Sequence, residues 1–340
     1  MRRAAPLPCI LGAATLLFCV VGACKPPSHL LATVLQRPSV PIPERKLDLG
    51  IIPPRPDRAP GGSQFWRDIV NTDESRRESA ILEELRRGNL PESHRKMVRL
   101  DYKAESRSGH THSVSLWVMP DYLAVGDDGD AMRVPMSPVT AQLVADRFGC
   151  VLPTSKLVDI IYRLAPTKLT PYPMPVGDRM VRMEEFARHS RIIDKQLDKL
   201  AVHGLVAGHK KDIVLTNRLD ARPHRVAIYG WHHREAKPIQ QLSTKHGDWY
   251  ADYSHGVRLL SSTMLLDDQP IRVQDALTDP ELASLLSDEG PLAHTRYRTE
   301  DGIGHPPPRP LPATYAAVQE SPFDLPFSQG SRRTQANSAP

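Results

Sequence analysis

Proline limits what this chain can fold into more than any other residue: 33 of its 340 residues are proline, and they crowd its two ends. Proline lacks the backbone donor that helices and sheet ladders need, and it holds the chain extended. Pro26, Pro27, Pro38, Pro41, Pro43, Pro53, Pro54, Pro56 and Pro60, closing on Gly61 and Gly62, predict a tether over residues 25–62 that stands off a surface. At the other end Pro306, Pro307, Pro308 and Pro310 open a polar tail, 303–340, expected to be disordered. Residues 63–302 are left to form a single domain.

Within that stretch the apolar pattern changes period once. Ile81, Leu82 and Leu85 make a helical stripe over 73–88, which Gly88 ends. Pro138 starts a second helix that Gly149 stops, and Thr154 or Ser155 caps a third that buries Leu157, Val158, Ile161 and Tyr162. Residues 183–200 predict a fourth. Ser113 to Met119 alternates as a strand, and Asp127, Asp128, Gly129 and Asp130 form a turn. Beyond residue 210 the texture becomes short runs at 212–215, 225–229 and 257–260 between turn residues. The expected class is therefore α+β, with N-terminal helices packed on a small, mainly antiparallel sheet.

Residues 1–24 carry the anatomy of an export signal. Arg2 and Arg3 precede an apolar run from Ile10 to Val21, and Gly22, Ala23 and Cys24 close it. That ending resembles the lipobox of bacterial lipoproteins. The resemblance implies lipidation at Cys24, a membrane partner reached through that lipid, and a periplasmic or cell-surface location. With Cys9 and Cys19 inside the signal, Cys150 is the one thiol left in the body, so no internal disulfide supports the fold. The formal charge of +5 is spread along the chain with no long Lys/Arg block, which argues against a nucleic-acid partner.

Seven of the fourteen histidines fall between His203 and His255, mostly at expected strand ends, and this density selects the candidate site. In Asp252-Tyr253-Ser254-His255-Gly256 a carboxylate three residues from an imidazole can fix its tautomer, and the glycine permits close approach. His255 is the expected general base, oriented by Asp252, with His232 and His246 as further catalytic groups or as zinc ligands. The spacing matches no short metal motif. Lys211 and Arg258 are candidate anchors for an anionic substrate group, and Trp231 and Trp249 for stacking on a sugar ring.

Cys150, followed by Asp212 to Leu215 and by the run 225–230, resembles the NlpC-type cysteine peptidases of bacterial cell walls over 150–260. That resemblance implies a Cys150 nucleophile and puts the family's first histidine on His224. The neighbours Gly149 and Val151 depart from the family's Asp before and Ser-Gly after the cysteine. Cys150 also reads as a small buried hydrophobe. Together these features predict a lipid-anchored hydrolase, of amidase or peptidase type, acting on peptidoglycan or another envelope or extracellular polymer. The alternative is a non-catalytic envelope protein binding glycan, peptide or protein.

Overall fold

The computed structural model describes residues 52–200, 204–233 and 235–299. Cys24, the export signal, most of the tether and the tail from 303 lie outside the described residues. The fold class is α+β, with helices preceding and flanking sheets that are mainly antiparallel.

The helices α1 (Gly62–Ile69), α2 (Glu74–Arg86) and α3 (Glu92–Arg95) lead into a long hairpin, β1 (Val98–Glu105) and β2 (Thr111–Val118). A short hairpin follows, β3 (Ala124–Gly126) and β4 (Ala131–Arg133), turning at Asp127 to Asp130. Next come α4 (Pro138–Arg147), β5 (Cys150–Val151), α5 (Ser155–Leu164), β6 (Thr167–Lys168), α6 (Met183–Asp198) and β7 (Val206–Ala207). The remainder is β8 (Lys211–Ile213), β9 (Ile228–His232), β10 (Pro238–Ser243), β11 (His255–Gly256), β12 (Leu260–Ser261), β13 (Thr263–Leu266), β14 (Gln269–Arg272) and α7 (Val273–Thr278).

Helix starts follow local chemistry. Asp73, Ser137 and Thr154 each occupy an N-cap, and each side chain accepts a hydrogen bond from the amide three residues on. Gly88 follows α2 at φ +86°, the left-handed turn that an end of helix requires. A side chain there would also strike the Pro53 carbonyl. The described end of the proline-rich stretch, residues 52–62, accordingly packs on the body rather than standing off it. Arg95 donates to the Pro53 carbonyl at 2.8 Å, and Asn89 accepts from Arg55 and donates to the Pro60 carbonyl. Proline here removes donors but leaves carbonyls, and neighbouring arginine and asparagine side chains use them.

The larger sheet runs β14-β13-β2-β12-β5, with β1 paired along the full length of β2. Its core includes Leu100, Leu116, Val118, Leu260 and Met264, and α1 lies against β3 and β4 while α2 lies against α4. The second sheet, β10-β9-β8-β11, is mixed: β8 and β11 run parallel and the other pairs antiparallel. The run 225–229 becomes a strand shifted to Ile228–His232, and 257–260 is not one strand. Val257 to Leu259 instead bridges the two sheets, as Leu123 donates to the Val257 carbonyl and Met119 to the Leu259 carbonyl.

Candidate functional site

Between the two sheets lies a polar centre that the hydrophobic core surrounds. The loop after β2 brings Asp121 and Tyr122, the end of β4 brings Arg133, and α6 brings His189. The entry to β8 brings His209 and Lys210, and the turn before β11 brings Asp252, Ser254 and His255; all of these are buried. Burial of so much charge is costly unless it is paired. Much of it is. Asp121 accepts from Arg133 at 3.0 Å and from His209 Nε2 at 2.9 Å. Asp252 accepts from the Ser254 amide at 2.7 Å, from the Ser254 hydroxyl and from Tyr250 at 3.1 Å.

The Asp252–His255 turn is closed by a backbone bond from the His255 amide to the Asp252 carbonyl, 3.0 Å. That turn sets His255 Nε2 3.7 Å from Asp252 Oδ2, an ion-pair distance and longer than a hydrogen bond. Gly256 permits this arrangement, since a Cβ there would fall 2.6 Å from Tyr122 and 2.8 Å from Lys210. Lys210 donates its Nζ to the Tyr253 carbonyl.

Thirteen buried side-chain nitrogen or oxygen atoms have no hydrogen-bond partner among the described residues, and seven belong to this centre and its wall. They are both ring nitrogens of His189 and of His255, His209 Nδ1, Trp231 Nε1 and Arg258 Nε. Such atoms concentrate where a protein keeps groups for something other than stability. His189 and His255 are both fully buried.

Burial pushes His255 down to about 4, assisted by Lys211, His246 and Lys210 and opposed by Asp252. The imidazole is therefore neutral at pH 7. For Asp252, burial alone would raise the carboxyl, but His255, Lys211 and the Ser254 bonds outweigh it and hold it well below the carboxylate range. Lys210 is lowered to about 7 by burial and Arg133, against Asp252, Asp121 and Asp194. These are the states that a general base, its orienting carboxylate and a proton-exchanging amine need.

The structure brings some of the sequence-selected residues together and separates others. Asp252 and His255 are adjacent, and His246 stacks on the Tyr250 ring (centroids 4.1 Å apart) that stands edge-on to His255. Lys211 Nζ lies 5.1 Å from the Trp231 ring, which packs edge-on to Tyr253. Trp249 is half-buried and covers its own Gly247 rather than offering an open stacking face.

His232 goes elsewhere. It hydrogen-bonds Asp159 of α5 at 2.7 Å and stacks on Tyr162, while Tyr229 donates to the same carboxylate. Gly230 (φ +107°) and Trp231 (φ +58°) are consecutive left-handed residues that kink β9 just before His232. Arg258 is fully buried, donates to the Met119 and Val206 carbonyls at 2.7 and 2.6 Å, and lies 4.3 Å from the Tyr122 ring centre. It braces the site and faces no substrate. Zinc has no donor set here: His232 and His246 contact different partners, and no three His, Cys, Asp or Glu groups converge for a metal among the described residues.

Sequence reasoning missed Asp121, Arg133, His189 and Lys210. Only the run His209-Lys210-Lys211-Asp212, dense in ionisable groups at the mouth of a strand, signalled any of them.

A proline-bearing strap covers the centre. Residues 170–177 hold Pro171, Pro173 and Pro175 without regular structure before a single turn at Asp178–Val181. The Met174 amide donates to the Tyr253 hydroxyl at 2.7 Å, and the Tyr253 amide donates to the Met180 carbonyl at 3.0 Å. Tyr172 and Val176 point outward and are exposed. The strap is fastened to the Asp252–His255 turn by these few bonds.

Cys150 is buried, pairs with Ser261 across β5 and β12, and donates weakly to the Phe148 carbonyl. Burial pushes its thiol up to about 12, the opposite of an activated nucleophile. His224, the resemblance's other member, sits on an exposed loop beside Asp248. Folded protein should react with a maleimide far more slowly than unfolded protein, and Cys150→Ser should keep full function. Rapid stoichiometric labelling with loss of function would restore a nucleophilic Cys150.

The same burial makes the fold acid-sensitive. His209 is also lowered to about 4, chiefly by burial and against Asp121, whereas burial raises Asp212 to about 6. Between pH 7 and 4.5 the unfolded chain takes up protons at His209 and His255 that the folded chain refuses. Stability thus falls as pH falls, and Asp212, protonated first in the folded state, offsets part. His189 and His94 are lowered by burial in the same sense and add to the loss, so the net fall is at least about 3 kcal/mol, or about 10 °C or more in Tm. Calorimetry at the two pH values checks this, and an unchanged Tm would mean the imidazoles are not held neutral.

Compared with family models, characterised proteins and solved structures, the chain matches none.

Proposed function

We propose that this protein is an exported, lipid-anchored hydrolase of amidase or peptidase type. His255 is its general base and the strap over 170–182 is its cover. The observation that carries the reading is the buried His255, whose ring nitrogens make no hydrogen bond among the described residues, 3.7 Å from Asp252 and in the turn that Lys210 bonds. In the reaction, His255 takes a proton from water as the water adds to an amide carbonyl. Asp252 stabilises the imidazolium, and Lys210 or Lys211 stabilises the developing oxyanion. The imidazolium then returns its proton to the leaving amine as the C–N bond breaks. Substrate class comes from location: a chain tethered through Cys24 meets peptidoglycan or another envelope or extracellular polymer first.

A second reading, non-catalytic binding of glycan, peptide or protein, is favoured by one observation, the complete burial of His255. Incubating the full chain with dye-labelled peptidoglycan sacculi separates the two. Release of soluble dye by the wild type supports the hydrolase; retention of protein on the sacculi without release supports the binder.

A further inference from the structure

A hollow lined by described residues lies away from His255. It lies between segment 216–225, which joins β8 to β9, and the stretch 294–298. We propose that this groove is a separate binding site for an anionic saccharide unit, a sugar ring carrying phosphate or carboxylate.

The hollow encloses about 340 Å³, enough for one such ring. Its floor is apolar, with Leu215, Leu219 and Tyr297, and its rim carries Arg222, Arg225, Arg296 and Arg298. Tyr297 is rigid: its hydroxyl donates to the Val214 carbonyl at 2.8 Å and accepts from the Ala227 amide at 3.0 Å. A neighbouring hollow shares Arg222 and adds Arg218 and Lys245. The two hollows together present six basic side chains against Asp220 and Asp248, a formal excess of four in a chain whose total is +5. A charge excess spread along the sequence is thus gathered by the fold onto one face.

The acids are already engaged, Asp248 with His224 at 3.3 Å and Asp220 with His294 at 3.7 Å. Arg296 pairs with Asp146, and Arg225 donates to the Lys245 carbonyl. Arg222 and Arg298 form no ion pair among the described residues, Arg222 reaching only the Thr244 hydroxyl at 3.5 Å, which leaves both guanidinium groups to meet an anion. An arginine fork matches the geometry of phosphate and carboxylate, and an apolar floor matches the C–H face of a sugar ring. The hollow has room for one ring and not for a run of nucleotides, so a nucleic acid is the poorer fit.

Calorimetric titration of the full chain at low salt tests this with glucose 6-phosphate, digalacturonate, glucose and inorganic phosphate. Binding of either anionic sugar is expected, weakened about tenfold by Arg222→Ala or Arg298→Ala and further by both together. Glucose 6-phosphate alone would assign a phosphorylated sugar; digalacturonate alone would assign a unit of an acidic polysaccharide. Three results would overturn the proposal: neither sugar binding at about 10 mM, binding unchanged in the double variant, or inorganic phosphate binding as tightly as the sugar phosphate. Hydrolysis of sacculi does not enter this test, so either proposal can fail alone.

Discussion

His255→Ala should lower the release of dye from labelled sacculi by about a thousandfold while the protein stays folded, because general-base catalysis contributes on the order of 10²–10⁴. The imidazole makes no hydrogen bond in the fold, so removing it breaks no bond and vacates only a small buried volume. Asp252→Asn should cost less, about tenfold to a hundredfold. It keeps the turn and the base but removes the charge that stabilises the imidazolium. Lys210→Met, near-isosteric, should lower turnover and abolish any limb of the pH–rate profile near the lysine's value of about 7. Equal losses in all three variants, accompanied by equal losses of Tm, would indicate a purely structural cluster.

Arg258→Ala should be the most destabilising single change at this centre, by about 4 kcal/mol. Two carbonyls, Met119 and Val206, would lose charge-assisted donors and remain buried, and the space beside Tyr122 would open. Tyr122, whose hydroxyl donates to Asp212 at 2.8 Å, would lose the cation stacked on it. Arg258→Lys keeps charge but cannot fork to both carbonyls, so it should recover only part of the loss. Urea denaturation of the three proteins measures this ranking. A change below about 1 kcal/mol for Arg258→Ala would mean the carbonyls find other donors.

Four helices, α2, α4, α5 and α6, were legible, mostly from local causes, whereas the shorter α1, α3 and α7 were not read from the sequence. Asp73, Ser137 and Thr154 cap, and Gly88 and Gly149 stop, within a few residues of the stripes they bound. The second sheet was less legible. Strands of two or three residues, such as His255–Gly256 paired in parallel to β8, are defined by partners distant in sequence and carry no periodicity. The candidate site shows the same division. Asp252 and His255 were readable because a four-residue turn joins them. Lys210 and His189 were not, since only packing of α6 and the β8 mouth around Tyr253 makes them part of it. His232 was misplaced because its position at an expected strand end does not reveal the two consecutive left-handed residues that turn β9 just before it.

The sign of charge also moved from diffuse to focused. Along the sequence, the basic residues between 218 and 298 look like ordinary solvated surface. The fold brings Arg222 of one loop and Arg298 of the last described stretch around one hollow.

Catalysis at His255 requires that substrate reach it beneath the strap. Nitrogen-15 spectra of histidine-labelled protein, recorded at pH 7 while soluble peptidoglycan fragments are added, measure this directly. A neutral His255 is expected, with ring signals that shift together with those of His246 while His110 and His112 on the β1–β2 hairpin stay fixed. A His255 that is protonated at pH 7, or whose signals remain unmoved at saturating fragment, would contradict catalysis at this residue.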